Sequence, residues 1–116
     1  MAGDISLDQV QAEQAVFDSH FWAHAPGSET IRHTTLHLAK LLGKIGTVAE
    51  AADHGEAPDL TVLDEEVIPD LLIFAARLAN DRDIELGVAF DERTQALVKR
   101  FSAHPAPDSP APLAEA

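Results

Sequence analysis

His33, His37, Lys40 and Lys44 recur at intervals of four, three and four residues. On a helix that spacing sets all four on one stripe. Imidazole and ammonium groups ranged along a helix can receive phosphate oxygens, so one reading of the stripe is an anion site. A second reading is an internal ion pair made by Lys44, and a third is a plain solvated face. His20/His24 and His33/His37 are also H-x-x-x-H pairs, a spacing that lets two imidazoles share one metal such as zinc or nickel. No Glu follows the first His of either pair, which excludes the metalloprotease form of the motif. There is no serine or cysteine nucleophile constellation. Gly43 and Gly46 fall inside a helical pattern, not after a strand, so they do not form a phosphate loop.

The bulk of the chain bounds the elements that must position these groups. Its 116 residues suit one domain. Hydrophobic residues make up 46% and charged residues 24%, the balance of a folded body. Aromatics reach only 5%, so Leu, Ile, Val and Ala must fill the core, a mixture that suits packed helices. The net charge of -12 repels phosphate backbones and anionic lipid, against a nucleic-acid or membrane partner. The absence of cysteine rules out disulfides and thiolate zinc sites. The first ten residues do not read as a signal peptide, and no apolar run approaches a membrane span. A cytoplasmic protein is the expectation.

Local signals divide the chain into about four helices. Ser6 and Gln9 form a capping-box pattern at the head of the first, with Val10, Phe17 and Phe21 as its apolar face and Trp22 beside them. Pro26-Gly27 breaks the chain, and Ser28 caps the second helix. Ile31, Thr35, Leu38, Leu42, Ile45, Ala49 and Ala52 then recur every four and three residues, a heptad-like stripe made for packing on other helices. Gly43 and Gly46 cost about 1 kcal/mol each inside a helix, which close approach of a neighbouring helix would offset. His54-Gly55 and Pro58 end this element. Asp64 caps a third helix over residues 65–80, nearly all apolar after Asp70 and kinked near Pro69. Such a helix belongs at a bundle centre or a subunit interface, which implies a homodimer or tetramer. A connector at 83–86 leads to a last helix over 87–101 carrying Val88, Phe90, Leu97, Val98 and Phe101. The domain spans residues 1–103, and the Pro/Ala-rich 104–116 reads as a disordered tail.

Two segments resemble a known family. The run Lys40-Leu-Leu-Gly-Lys-Ile-Gly-Thr-Val-Ala-Glu50-Ala51 is similar to the MazG helix K-L-x-E-E-x-G-E-L-A-E-A. The run Glu66-Val-Ile-Pro-Asp70, continuing to Arg77-Leu-Ala-Asn80, Ile84-Glu85-Leu86 and Ala89-Phe90, resembles E-E-x-x-D-x-L-x-x-x-x-R-L-A-N followed by I-D-L and A-F. The likeness covers residues 28–101. It implies an all-α MazG-like bundle and a nucleoside triphosphate pyrophosphohydrolase chemistry. In that chemistry, facing carboxylates hold magnesium on the triphosphate while water attacks the α-phosphorus.

The site residues depart from the family pattern. The three acids of the first motif fall at Gly43, Lys44 and Thr47, and one acid of the second falls at Val67. Glu66 and Asp70 are the metal ligands that remain, one turn apart, and Glu50 lies one turn beyond the lost acids. The resemblance leaves magnesium as the implied cofactor with an impaired or remodelled seat. His33, His37, Lys40 and Lys44 could then meet phosphate directly, or Lys44 could pair with Asp70 in the metal's stead. Trp22 is the residue for base stacking, or else a core or interface anchor. Arg77 is either a phosphate ligand or an exposed charge that pairs with an acid. Two functions follow: a pyrophosphohydrolase with a remodelled site, or a non-catalytic member that binds a nucleotide or a protein.

Overall fold

Ser6 opens the first helix as its spacing predicts: Ser6 Oγ accepts the Gln9 N–H at 3.1 Å and Gln9 Oε1 accepts the Ser6 N–H at 2.9 Å. In a computed structural model the chain is all-helical. The structure describes residues 3–22 and 26–103, which contain α1 (Leu7–Phe21), α2 (Ser28–Asp53), α3 (Ile68–Asp81) and α4 (Leu86–Ala103) and no strand. His24 and the 104–116 segment read as a tail lie outside the described residues. No helix among the described residues is long and apolar enough to cross a membrane.

The cap of α2 is not Ser28. Gly27 holds that position at φ +81° and ψ -129°, a conformation that side chains disfavour, and has no side chain to offer. Asp81, at the far end of α3, supplies the charge instead. The Gly27 N–H donates to its two carboxylate oxygens at 3.0 and 3.1 Å, placing an anion at the positive pole of α2. The helix ends at Gly55, φ +77°, where the Gly55 N–H reaches Ala52 O and the Glu56 N–H reaches Ala51 O.

Asp64 is likewise not a cap. The chain turns helical at Thr61, whose N–H donates to Asp59 Oδ1 at 3.0 Å. A π-helical turn, Leu63–Val67, then runs into α3, with the Ile68 N–H bonded to Leu63 O. Pro69 supplies the physical reason. It has no N–H, and its ring crowds the carbonyl four residues back, so a wider turn relieves the conflict.

α3 sits at the centre and packs on α1, α2 and α4. The core is small: Leu41, Val67 and Phe74, flanked by Leu38, Val62 and Leu63, with Ala76 and Ala79 also buried. α4 contributes no fully buried residue. Of the apolar face expected of α1, Val10 is half-buried while Phe17 and Phe21 point outward, Phe21 72% exposed, and the buried residue of α1 is Gln14.

α2 shows the larger reversal. In the heptad stripe Ile31, Leu42 and Ile45 are exposed, and only Leu38 of its large residues is half-buried. The stripe one residue back faces inward instead: Thr30, Thr34 and Leu41 are buried, and His37, Lys44, Val48 and Ala51 are half-buried. On this side Leu41 packs with Val67 of the π turn and Phe74 of α3, and His37 stacks on Phe74.

Candidate functional site

α1 aims a polar stripe at α3. Gln11, Gln14 and Asp18 stand three and four residues apart, and Trp22 follows at the next turn. Gln11 uses both ends of its amide: its Nε2 donates to Asn80 Oδ1 at 3.2 Å and to Ile84 O at 2.8 Å, and its Oε1 accepts the Leu86 N–H at 2.7 Å. Asn80 Nδ2 returns a bond to Gln11 O at 3.0 Å. These bonds tie α1 to the connector between α3 and α4.

One turn along, Arg77 enters the interior. Its side chain is 7% exposed and that of Asp18 is 16% exposed. Arg77 Nε and Nη2 donate to Asp18 Oδ1 at 3.0 and 2.8 Å, and Gln14 Nε2 adds a third bond to the same oxygen at 2.8 Å. A buried guanidinium needs such a carboxylate, since an unpaired charge there would be very costly. The guanidinium carbon also lies 3.7 Å from the centre of the Trp22 ring, within cation–π range. Rings continue the column: Trp22 meets His33 edge-on, His33 meets His37, and His37 stacks on Phe74. His33 and His37 share a 2.8 Å contact between their Nε2 atoms. One nitrogen must donate and the other accept, so the two Nε2 atoms take opposite hydrogen-bonding roles.

A cleft of about 230 Å³ opens here, lined by Asp18, Trp22, Thr30, Arg77, Asn80 and Asp81 among others. Its polar groups are largely committed. Arg77 is held by Asp18, Asp81 by Gly27, and Asn80 by Gln11. One face of the Trp22 ring, the residue expected to stack on a base, is covered by the guanidinium.

The other expected residues lie further along α2 and on the π turn. Lys44 does form an ion pair, but with Glu66 and not with Asp70: its Nζ lies 3.1 Å from Glu66 Oε1. Both side chains are about half exposed. Asp70 is half-buried and Lys40 exposed, and neither makes a hydrogen bond or ion pair among the described residues. The expected anion stripe is therefore divided. His33 and His37 belong to the aromatic column, Lys44 is engaged by Glu66, and Lys40 alone faces solvent. Glu66 and Asp70 are two carboxylates, one of them neutralised by an ammonium. No group of three metal-ligating side chains comes together among the described residues. Magnesium needs several hard oxygen donors, and this donor set does not fit it.

Sequence reasoning misses Asp18, Gln11 and Gln14. Their signal is present: polar residues at helical spacing, ending on the single tryptophan. Asp81 gives no local signal, because the helix it caps begins over fifty residues earlier. No family model, curated protein or solved structure matches this chain.

Proposed function

We propose that this protein is a non-catalytic, MazG-like helical module that acts by binding another protein, not by hydrolysing nucleoside triphosphates. One observation carries the reading: Lys44 Nζ on Glu66 Oε1 at 3.1 Å, between α2 and the π turn. Where the resemblance would set carboxylates facing each other around magnesium, this chain sets an ammonium against a carboxylate. The positive charge occupies the region where the cation would bind, and it engages one of the two remaining acids. Association fits the rest of the surface, since large apolar side chains on all four helices are exposed.

The test is isothermal titration of the full chain with non-hydrolysable nucleoside triphosphate analogues, in magnesium and in EDTA, beside an assay for released pyrophosphate. The expected result is no magnesium-dependent heat and no turnover. Magnesium-dependent binding abolished by Asp70→Asn would overturn the reading in favour of a remodelled hydrolase. Binding indifferent to EDTA and weakened by Lys40→Ala would overturn it in favour of a direct anion site.

A further inference from the structure

His33 and His37 stand one turn apart on α2, and their Nε2 atoms face each other at 2.8 Å. Aromatic neighbours hold both rings in this orientation. Trp22 meets His33 edge-on with 4.8 Å between ring centres, and Phe74 stacks on His37 at 5.3 Å. Both histidines are half-buried, so solvent still reaches the pair. A hydrogen bond explains the contact while one Nε2 carries the proton. When that ring takes its other tautomer, with the proton on Nδ1, two nitrogen lone pairs converge on one place.

The separation selects the kind of ion. Nitrogens 2.8 Å apart, each bonded to one metal at about 2.0–2.1 Å, subtend an angle of about 85–90° there. A tetrahedral angle would need them about 3.3 Å apart. The pair therefore matches two adjacent corners of a square-planar or octahedral shell, the geometry of Cu2+ and Ni2+, and not the tetrahedral shell of Zn2+. Imidazole nitrogen is also a poor ligand for a hard ion such as Mg2+.

We infer that His33 and His37 bind one late transition-metal ion, Cu2+ before Ni2+, through their Nε2 atoms. The metal and the histidine–histidine hydrogen bond are alternatives at the same place. No third metal-ligating side chain joins the pair among the described residues. Water completes the shell, so the ion exchanges with solvent and is not a structural fixture. Charge permits it: the chain carries -12, which draws cations, and the Arg77 guanidinium at the end of the column is neutralised by Asp18. His20, of the other H-x-x-x-H pair, instead turns Nδ1 to Val16 O at 2.9 Å. A bound ion would bridge successive turns of α2 where the helix lies on Phe74. The inference does not depend on Lys44 and Glu66 or on protein binding.

Isothermal titration of the full chain with Cu2+, Ni2+ and Zn2+ in a non-chelating buffer tests the site, with circular dichroism to confirm folding. The expected result is one tight copper per chain, nickel weaker, and zinc weakest. His33→Gln and His37→Gln should each weaken copper binding about a hundredfold, because the second nitrogen is no longer held beside the first. His20→Gln should leave it unchanged. Copper should raise the urea midpoint of the wild type and not that of the two Gln variants, since the pair is set only in the folded helix. Two measurements on the wild type serve even where a variant fails to fold. Electron paramagnetic resonance of the one-copper form should show two equatorial nitrogens, and copper should broaden the His33 and His37 ring signals in NMR before those of His20 or His54. Equal copper affinity in wild type and both Gln variants, zinc bound more tightly than nickel, a single equatorial nitrogen, or broadening centred on other histidines would overturn the proposal. None of these results bears on the nucleotide titration, and nucleotide turnover would not decide this one.

Discussion

Two ion pairs among the described residues stand in opposite surroundings. Arg77 and Asp18 meet in the interior, nearly dry, with Gln14 completing the carboxylate's bonds and Trp22 lying against the guanidinium. Lys44 and Glu66 meet beside the π turn, both about half exposed, through a single contact. The first is a structural member whose removal leaves a stranded charge. The second is a surface contact, screened by water, that matters for what it displaces more than for what it holds. Neither charge in the first pair is available to a ligand. In the second, one acid that could serve a metal is withdrawn.

The largest effect should come from the buried pair. Asp18→Ala strands the Arg77 guanidinium and should cost about 3–5 kcal/mol in urea denaturation. Replacing both partners with apolar residues, Asp18→Leu with Arg77→Met, should cost far less than the single change. If single and double variants unfold alike, the pair is not what holds α1 to α3. Next comes Asp81, which caps α2 from across the bundle. Asp81→Ala should lower stability by about 1 kcal/mol, read in the same denaturation experiment. Lys44→Ala should cost at most about 1 kcal/mol, and the difference from wild type should vanish in concentrated salt. A loss as large as that of Asp18→Ala would erase the contrast between the two regions.

The smallest effect concerns Asp59, near the π turn. The Thr61 backbone N–H, helped by the Thr61 hydroxyl, holds its carboxyl below the ordinary Asp range. A carboxylate depressed in the folded state contributes stability above its unfolded pKa, and that contribution is lost as pH falls through the lowered folded value. NMR titration should find Asp59 titrating below the usual Asp range, and Asp59→Asn should remove this small acid-side loss. An unshifted titration would mean the bond does not persist in solution.

Much of the local structure is legible in the residues. Ser6 and Gln9 cap a helix wherever they are placed before one, and Gly55 ends α2 because its left-handed φ suits glycine best. Pro69 is legible as a disturbance, though not as a π turn, since whether a helix widens, kinks or stops depends on what holds its two halves. The site is less legible. The sequence marks Lys44 as a charge that can pair with an acid, but Glu66 and Asp70 are one turn apart and only the packing angle of α2 on the π turn selects between them.

The chain by itself determined that it is helical, where most helices begin and end, and that α2 carries two useful faces. Spacing and propensity act within a few residues, so they need no fold to be felt. Tertiary structure alone decided which face turned inward. One residue is a rotation of about 100° on a helix, so stepping from Ile31 to Thr30 moves the buried stripe off the hydrophobic one. Hydrophobicity favours the outer stripe, yet α3 brings Phe74 to stack on His37 of α2, and His33 meets the Trp22 ring that lies over the Arg77 guanidinium. The inner stripe was buried because Leu41 and His37 meet Val67 and Phe74 there, and the more apolar one was left facing outward.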